Sequence, residues 1–184
     1  LTHDGKVRVI YDAEKGQHVE DGVTFDGMQK MHRHNDDFMS ISFLDAWVYY
    51  KDELYLKRAE AYAAWLISEQ RPDGGFGNPD VPPAAPVAGN FLLELYRITK
   101  KETYAKAAAR AAEYLLTTQE YNPSDSMAHG GFYGYGDDWS SGKKETLNMR
   151  TSAYALIFLL KMEGCETGPY YSPFNRNGAL PSAQ

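Results

Sequence analysis

Phe43-Leu44-Asp45-Ala46-Trp47, leading to Tyr55, Ala59, Ala63 and Trp65-Leu66-Ile67 and closing at Gln70, returns as Phe91-Leu92-Leu93-Glu94-Leu95, leading to Tyr104, Ala108, Ala112 and Tyr114-Leu115-Leu116 and closing at Gln119. The offset is 48 at Phe43/Phe91 and 49 at Gln70/Gln119, so one residue is inserted at the short turn between the two halves of the unit. A period of this length is the signature of a helical repeat, in which each unit buries its apolar face against the next. A loop with a common core comes after each Gln: Asp73-Gly74-Gly75-Phe76-Gly77 in the first unit and His129-Gly130-Gly131-Phe132-Tyr133-Gly134 in the second.

Each unit reads as two helices. Residues 36 to 50 and 53 to 70 make the first pair, with apolar residues at helical spacing such as Tyr55, Ala59, Tyr62 and Leu66. Residues 86 to 99 and 102 to 119 make the second. Lys51-Asp52 and Lys100-Lys101 are tight polar turns between antiparallel partners. Pro72 and Pro123 stand just past the helix stops, where proline cannot continue a helix. A third inner helix spans about Leu147 to Met162, with no outer partner after it. The expected fold is therefore all-α, with a helical repeat domain over 36 to 163. An irregular tail over 164 to 184 carries Pro169, Pro173 and Pro181. The segment 1 to 35 differs in kind: Lys6-Val7-Arg8-Val9-Ile10-Tyr11 alternates like a strand, and Gly16, Gly22 and Gly27 punctuate the residues after it. It reads as a short strand or hairpin with extended loop.

Composition narrows the function classes. A net charge of −6 argues against a nucleic-acid partner, which would call for a basic stripe. The longest apolar run, near Ala153 to Leu160, is too short for a membrane span of about 18 residues. Aromatics are in excess, with 14 Tyr, 8 Phe and 3 Trp, which builds a core or a cleft that stacks on flat ligand faces. Cys165 is the only cysteine, so no internal disulfide is expected and redox chemistry says nothing of compartment. The first residue is Leu1, as a processed or truncated product would have; removal of a signal peptide would point to a secreted or periplasmic protein.

Paired helices of this length, with Gln closing the outer helix and Asp-Gly-Gly-Phe-Gly after it, resemble the α/α-toroid proteins. Gln70-Arg71-Pro72-Asp73-Gly74-Gly75-Phe76-Gly77 is similar to the repeat of protein prenyltransferase β subunits and triterpene cyclases, and to a loop of the toroid pectate lyases. Asn35-Asp36-Asp37-Phe38-Met39-Ser40-Ile41-Ser42-Phe43-Leu44 resembles the Asp-Asp-aromatic-Met segment of unsaturated uronyl hydrolases and related six-hairpin glycosidases. The resemblance covers residues 35 to 163 and implies a partial α/α toroid of antiparallel hairpins. A closed ring needs more than two and a half hairpins, so another chain or a further segment is expected to complete it.

The densest chemical constellation is Met31-His32-Arg33-His34-Asn35-Asp36-Asp37. Two adjacent carboxylates beside two histidines can transfer protons, because a neighbouring carboxylate raises the pKa of an acid that must protonate a glycosidic oxygen. The resemblance to uronyl hydrolases implies a general acid/base at Asp36 or Asp37. Helix capping explains the same residues equally well. His32, His34 and Asp36 also suit a divalent metal, but no third histidine is near in sequence, and no cofactor is expected. The loop from His129 to Trp139 offers Tyr133, Tyr135 and Trp139 as stacking faces, with Asp138 as a polar contact. Its alternative reading is a hydrophobic cap with a solvated Asp137-Asp138 turn, and the repeated Phe76 and Phe132 fit that structural role. Trp47 joins the expected substrate contacts. Arg150 opens the third inner helix, where a guanidinium can bind a uronate carboxylate or form a structural ion pair.

These features point to a carbohydrate-active enzyme that cleaves glycosidic bonds in a uronic-acid-containing glycan, by hydrolysis or by elimination. Asp36, Asp37, His34 and Arg150 are the expected catalytic group, and His32, His129, Tyr133, Tyr135, Asp138, Trp139 and Trp47 the substrate contacts. The alternatives are a non-catalytic glycan-binding or ring-completing fragment and a prenyl-transfer-like toroid. The last needs a zinc site of Asp, Cys and His, and Cys165 lies beyond the last helix.

Overall fold

The computed structural model describes residues 11–18, 39–76, 82–134 and 146–165. In chain order the elements are β1 (Tyr11–Asp12), β2 (Gln17–His18), α1 (Met39–Tyr50), α2 (Glu53–Glu69), α3 (Ala84–Thr99), α4 (Glu102–Leu116), β3 (Tyr133–Gly134), β4 (Thr146–Leu147) and α5 (Met149–Met162). The described chain is mostly helical, as the apolar periodicity requires.

The expected N-terminal hairpin exists as the antiparallel pair β1–β2, with Tyr11 opposite His18. Asp12 closes its turn by accepting the N–H groups of Glu14 and Lys15, each at 3.0 Å. These bonds, that to Lys15 foremost, hold the Asp12 carboxyl below its ordinary range. Residues 6 to 10 of the predicted strand lie outside the described residues.

Helices α1 and α2, and α3 and α4, are joined by two-residue links and pack against each other as antiparallel hairpins. Each link turns through a left-handed lysine, Lys51 (φ 56°) and Lys100 (φ 59°), and the links are equal in length, so the extra residue between the units lies before Lys100, within α3, and not at the turn. Each lysine also lays its ammonium over the aromatic ring one turn back, Trp47 at 4.7 Å and Tyr96 at 5.9 Å. The two hairpins run side by side in the same direction. Lys101 at the start of α4 pairs with Glu60 in α2, and Gln70 just past α2 reaches the Ala107 carbonyl in α4. Helix α3 is central, packing against the other four helices. Tyr62, Phe91, Leu92, Leu95, Leu115 and Phe158 are among its fully enclosed neighbours and members.

Four helix ends differ from the sequence expectation, each for a local reason. Helix α3 begins at Ala84 rather than residue 86, because Pro86 fits the first turn, where its missing N–H bonds nothing. Helix α2 stops at Glu69, and Gln70 is already extended (ψ 122°). Helix α4 stops at Leu116, short of Gln119, because the hydroxyls of Thr117 and Thr118 bond back to the carbonyls of Tyr114 and Leu115 at 2.7 Å. Helix α5 begins at Met149, since Leu147 belongs to β4 and Asn148 caps the helix through the Thr151 N–H at 3.1 Å.

The repeated Gln and Gly-Gly-Phe build one turn twice. In each loop the Gln amide donates to the carbonyl of the first glycine: Gln70 to Gly74 at 3.0 Å and Gln119 to Gly130 at 3.1 Å. The residue after Gln exchanges backbone bonds with the glycine pair. Arg71 N–H donates to Gly75 O and Gly74 N–H to Arg71 O; Glu120 N–H donates to Gly131 O and Gly130 N–H to Glu120 O. Both first glycines have positive φ, 92° and 84°, and both following phenylalanines are buried. The second loop inserts seven more residues between these anchor points.

The seam between α3 and α5 is held by charge. Lys161 is 2.9 Å from the Glu94 carboxylate and 2.8 Å from the Asn90 side-chain oxygen, all three buried. Arg97 approaches the same Glu94 oxygen at 3.4 Å. The other oxygen, Oε2, has no hydrogen-bond partner among the described residues.

Candidate functional site

The candidate site is built where α5 begins. Strand β3 leaves the Gly-Gly-Phe turn and pairs with β4, Tyr133 opposite Leu147 and Gly134 opposite Thr146. The hairpin is pinned to the helix start from both sides. Phe132 N–H donates to the Ser152 hydroxyl at 3.0 Å, and Asn148 N–H donates to the Phe132 carbonyl at 3.1 Å. On its other edge Tyr133 N–H donates to Thr118 O at 2.9 Å, so the loop also grips the end of α4. A Cβ on Gly134 would lie 2.6 Å from both Asn148 Cβ and Thr151 Oγ1, so only glycine permits this approach to the first turn of α5. Strands β3 and β4 are thus both anchored on that turn.

Arg150 stands exposed in the same turn. Its guanidinium carbon lies 5.4 Å from the centre of the Tyr154 ring, and its Nε is 3.4 Å from the Tyr154 hydroxyl. Stacking on an i+4 tyrosine restricts a long side chain. Nearby on the loop, the Tyr133 hydroxyl donates to the Glu120 carboxylate. That bond, with lesser contributions from burial and the carboxylate charge, raises the Tyr133 pKa above the ordinary phenol value. His129 sits in the inserted part of the loop, exposed, with its ring edge-on to Tyr121 at 5.0 Å.

Trp47 is placed elsewhere. It lies in the third turn of α1, about 12 Å along the helix from Met39. That is the end where α1 and α3 finish, while Arg150 stands where α5 begins. The Lys51 stack on Trp47 has its counterpart in Lys100 on Tyr96, which gives this tryptophan a part in the repeat. Its indole N–H is buried and has no acceptor among the described residues. Of the expected site residues, the structure brings Tyr133 and Arg150 to the start of α5, puts His129 on the adjoining loop, and sets Trp47 apart. Asp36, Asp37, His32 and His34 lie outside the described residues, as do Tyr135, Asp138 and Trp139 and, with them, the candidate metal group His32, His34 and Asp36. Among the described residues no group of three or more His, Cys, Asp or Glu is placed to hold a metal, and no helix is long and apolar enough to cross a membrane.

Sequence reading passes over Glu120 and Tyr154. The i, i+4 spacing of Arg150 and Tyr154 is a usable signal once the helix is assigned. Glu120 carries none, because its partner Tyr133 reaches it only through the folded loop. Compared with known proteins, the chain matches no protein-family model, no curated protein and no solved structure.

Proposed function

We propose that this chain acts on a uronic-acid-containing carbohydrate at the end where its inner helices begin, as a unit of the α/α-toroid kind. The observation that carries the reading is the seating of β3 and β4 on the first turn of α5. Tyr135, Asp138 and Trp139 lie in sequence between these two strands, and Arg150 stands in the turn that the strands meet. Sugar rings present apolar C–H faces and a rim of hydroxyls, which aromatic rings with interspersed carboxylates match. Arg150 supplies the fork that pairs with a uronate carboxylate.

In this reading one of Asp36 and Asp37 protonates the glycosidic oxygen, and its neighbour keeps that proton available near neutral pH. Two hairpins side by side in the same direction support a helical-repeat reading of this kind.

The test is a comparison of variants on uronate oligosaccharides and on the same oligosaccharides with the carboxylates reduced to alcohols. Arg150→Met is expected to raise KM for the uronate form about 10- to 100-fold, the value of a charged hydrogen bond. It should leave the reduced form little changed. Equal effects on both would remove Arg150 from carboxylate recognition. Asp36→Asn and Asp37→Asn should reduce kcat; full activity in both would place the acid elsewhere.

A further inference from the structure

The face that α5 lays on α3 gives little to fix how far along α3 it sits. Its buried residues are Thr151, Ala155, Phe158 and Lys161, and every residue of α3 from Ala84 to Leu92 is buried. The two helices run in the same direction: Phe158 meets Gly89, and Lys161, further along α5, meets Asn90 and Glu94. Gly89 is a notch for the Phe158 ring, since a Cβ there would lie 2.4 Å from Phe158 Cζ. Shape opposes a slip of α5 by one turn toward the end of α3, which sets the ring against Leu93, four residues past Gly89. It opposes the reverse slip far less. The ring then meets Ala85, four residues before Gly89, where a single methyl group stands.

Charge separates these two registers where shape does not. Among the described residues, Glu94 and Lys161 are the only charged side chains that are buried. In the observed register Lys161 lies between Asn90 and Glu94, which are one turn apart on α3. One turn back it would lie between Pro86 and Asn90 and lose the carboxylate, while Glu94 would keep only Arg97 of its own helix. An uncompensated buried charge is costly, so that register is closed. The same pair is a poor source of net stability, because both ions have lost their water and Glu94 Oε2 has no hydrogen-bond partner among the described residues.

We propose that the Glu94–Lys161 pair fixes the register of α5 on α3, and that excluding the one-turn slip is its main contribution. The first turn of α5 carries Arg150 and seats β3, and β3 in turn bonds the end of α4 through Tyr133 N–H and Thr118 O. The pair thus sets the level at which that turn stands, whatever the turn binds. A one-turn slip moves a helix by about 5 Å along its axis. Cys165 is exposed, and its N–H bonds to the Leu160 carbonyl, so a label there moves with α5. Glu113 is exposed on α4, which runs antiparallel to α3, and lies back toward the start of α3. Double electron–electron resonance between spin labels on Cys165 and on Glu113→Cys is expected to give one distance in the otherwise unchanged chain. In Glu94→Leu/Lys161→Met the helical circular dichroism should persist, and a second population should appear, shorter by up to about 5 Å. Gly89→Ala with the pair intact fills the notch and should keep the original distance alone. A single unchanged distance in the double variant overturns the proposal, since the notch and the Thr118 bond would then suffice. Loss of the helical signal in that variant also overturns it, because the pair would then be a source of stability. So does a shifted distance in Gly89→Ala, which would give the register to the notch.

Discussion

Replacing Gly74 and Gly130 by alanine, one at a time, asks whether the two Gly-Gly-Phe turns are equivalent in conformation but not in packing. Both glycines have positive φ, so each substitution incurs about 1–2 kcal/mol for placing a Cβ residue in the left-handed region. The surroundings then separate them. At Gly74 the new Cβ would stand 2.1 Å from the carbonyl oxygen and 2.7 Å from the carbonyl carbon of Arg110, backbone atoms inside α4 that cannot swing away. At Gly130 the nearest atom is the side-chain nitrogen of Gln119 at 3.9 Å, an ordinary contact. Displacing packed backbone adds about 1–3 kcal/mol. Gly130→Ala is therefore expected to lose about 1–2 kcal/mol and Gly74→Ala about 2–5 kcal/mol. Urea unfolding followed by far-ultraviolet circular dichroism, extrapolated linearly to water, measures both. A difference below about 0.5 kcal/mol, or one of opposite sign, would refute the reasoning, since it would mean that α4 does not press on the first turn as described.

The remaining predictions concern the polar contacts. Gln70→Ala removes two bonds, to Gly74 O and Ala107 O, and should cost about 1–3 kcal/mol; Gln119→Ala removes one exposed bond and should cost less, which the same unfolding series checks. Lys161→Met strands the buried Glu94 carboxylate and is expected to cost about 3–5 kcal/mol, while adding Glu94→Leu should recover much of the loss; a double-mutant cycle with additive effects would contradict the pairing. The Tyr133–Glu120 contact raises the folded pKa of the phenol, so its stabilisation is complete below the ordinary phenol range and is lost as pH rises through the raised value. Ultraviolet titration should show one tyrosine fewer ionising late in Tyr133→Phe than in the parent chain; an unchanged titration curve would count against the contact.

Much of the helical layout is legible in the sequence because its causes are local. Phe43 to Gln70 and Phe91 to Gln119 repeat a pattern whose apolar spacing and two-residue polar turns suffice to define antiparallel hairpins. The ends are less legible where side chains compete with the backbone. Thr117 and Thr118 turn their hydroxyls back on α4, and nothing in their spacing marks that Gln119 serves a loop rather than a helix. The β3–β4 pair is not legible, since two-residue strands separated by 11 residues leave no alternating pattern. The Glu94–Lys161 pair has a faint signal, one charge inside each of two apolar runs, but only the packing of α3 on α5 makes them partners. For the site, the place of Arg150 in the first turn of a helix can be read from the sequence. Trp47 does not stay with it, because a helix carries a residue 1.5 Å further along its axis at every step, and position within a motif does not reveal which end it occupies.

Incubating the full chain with a panel of uronate-containing and neutral oligosaccharides, and following both reducing-end release and the ultraviolet absorbance of unsaturated uronates, tests carbohydrate action most directly. The expected result is new reducing ends from the uronate members and loss of the activity in Asp36→Asn or Asp37→Asn. Growth of the unsaturated absorbance would assign the cleavage to elimination rather than hydrolysis. Neither turnover nor binding of any member of the panel would contradict carbohydrate action itself.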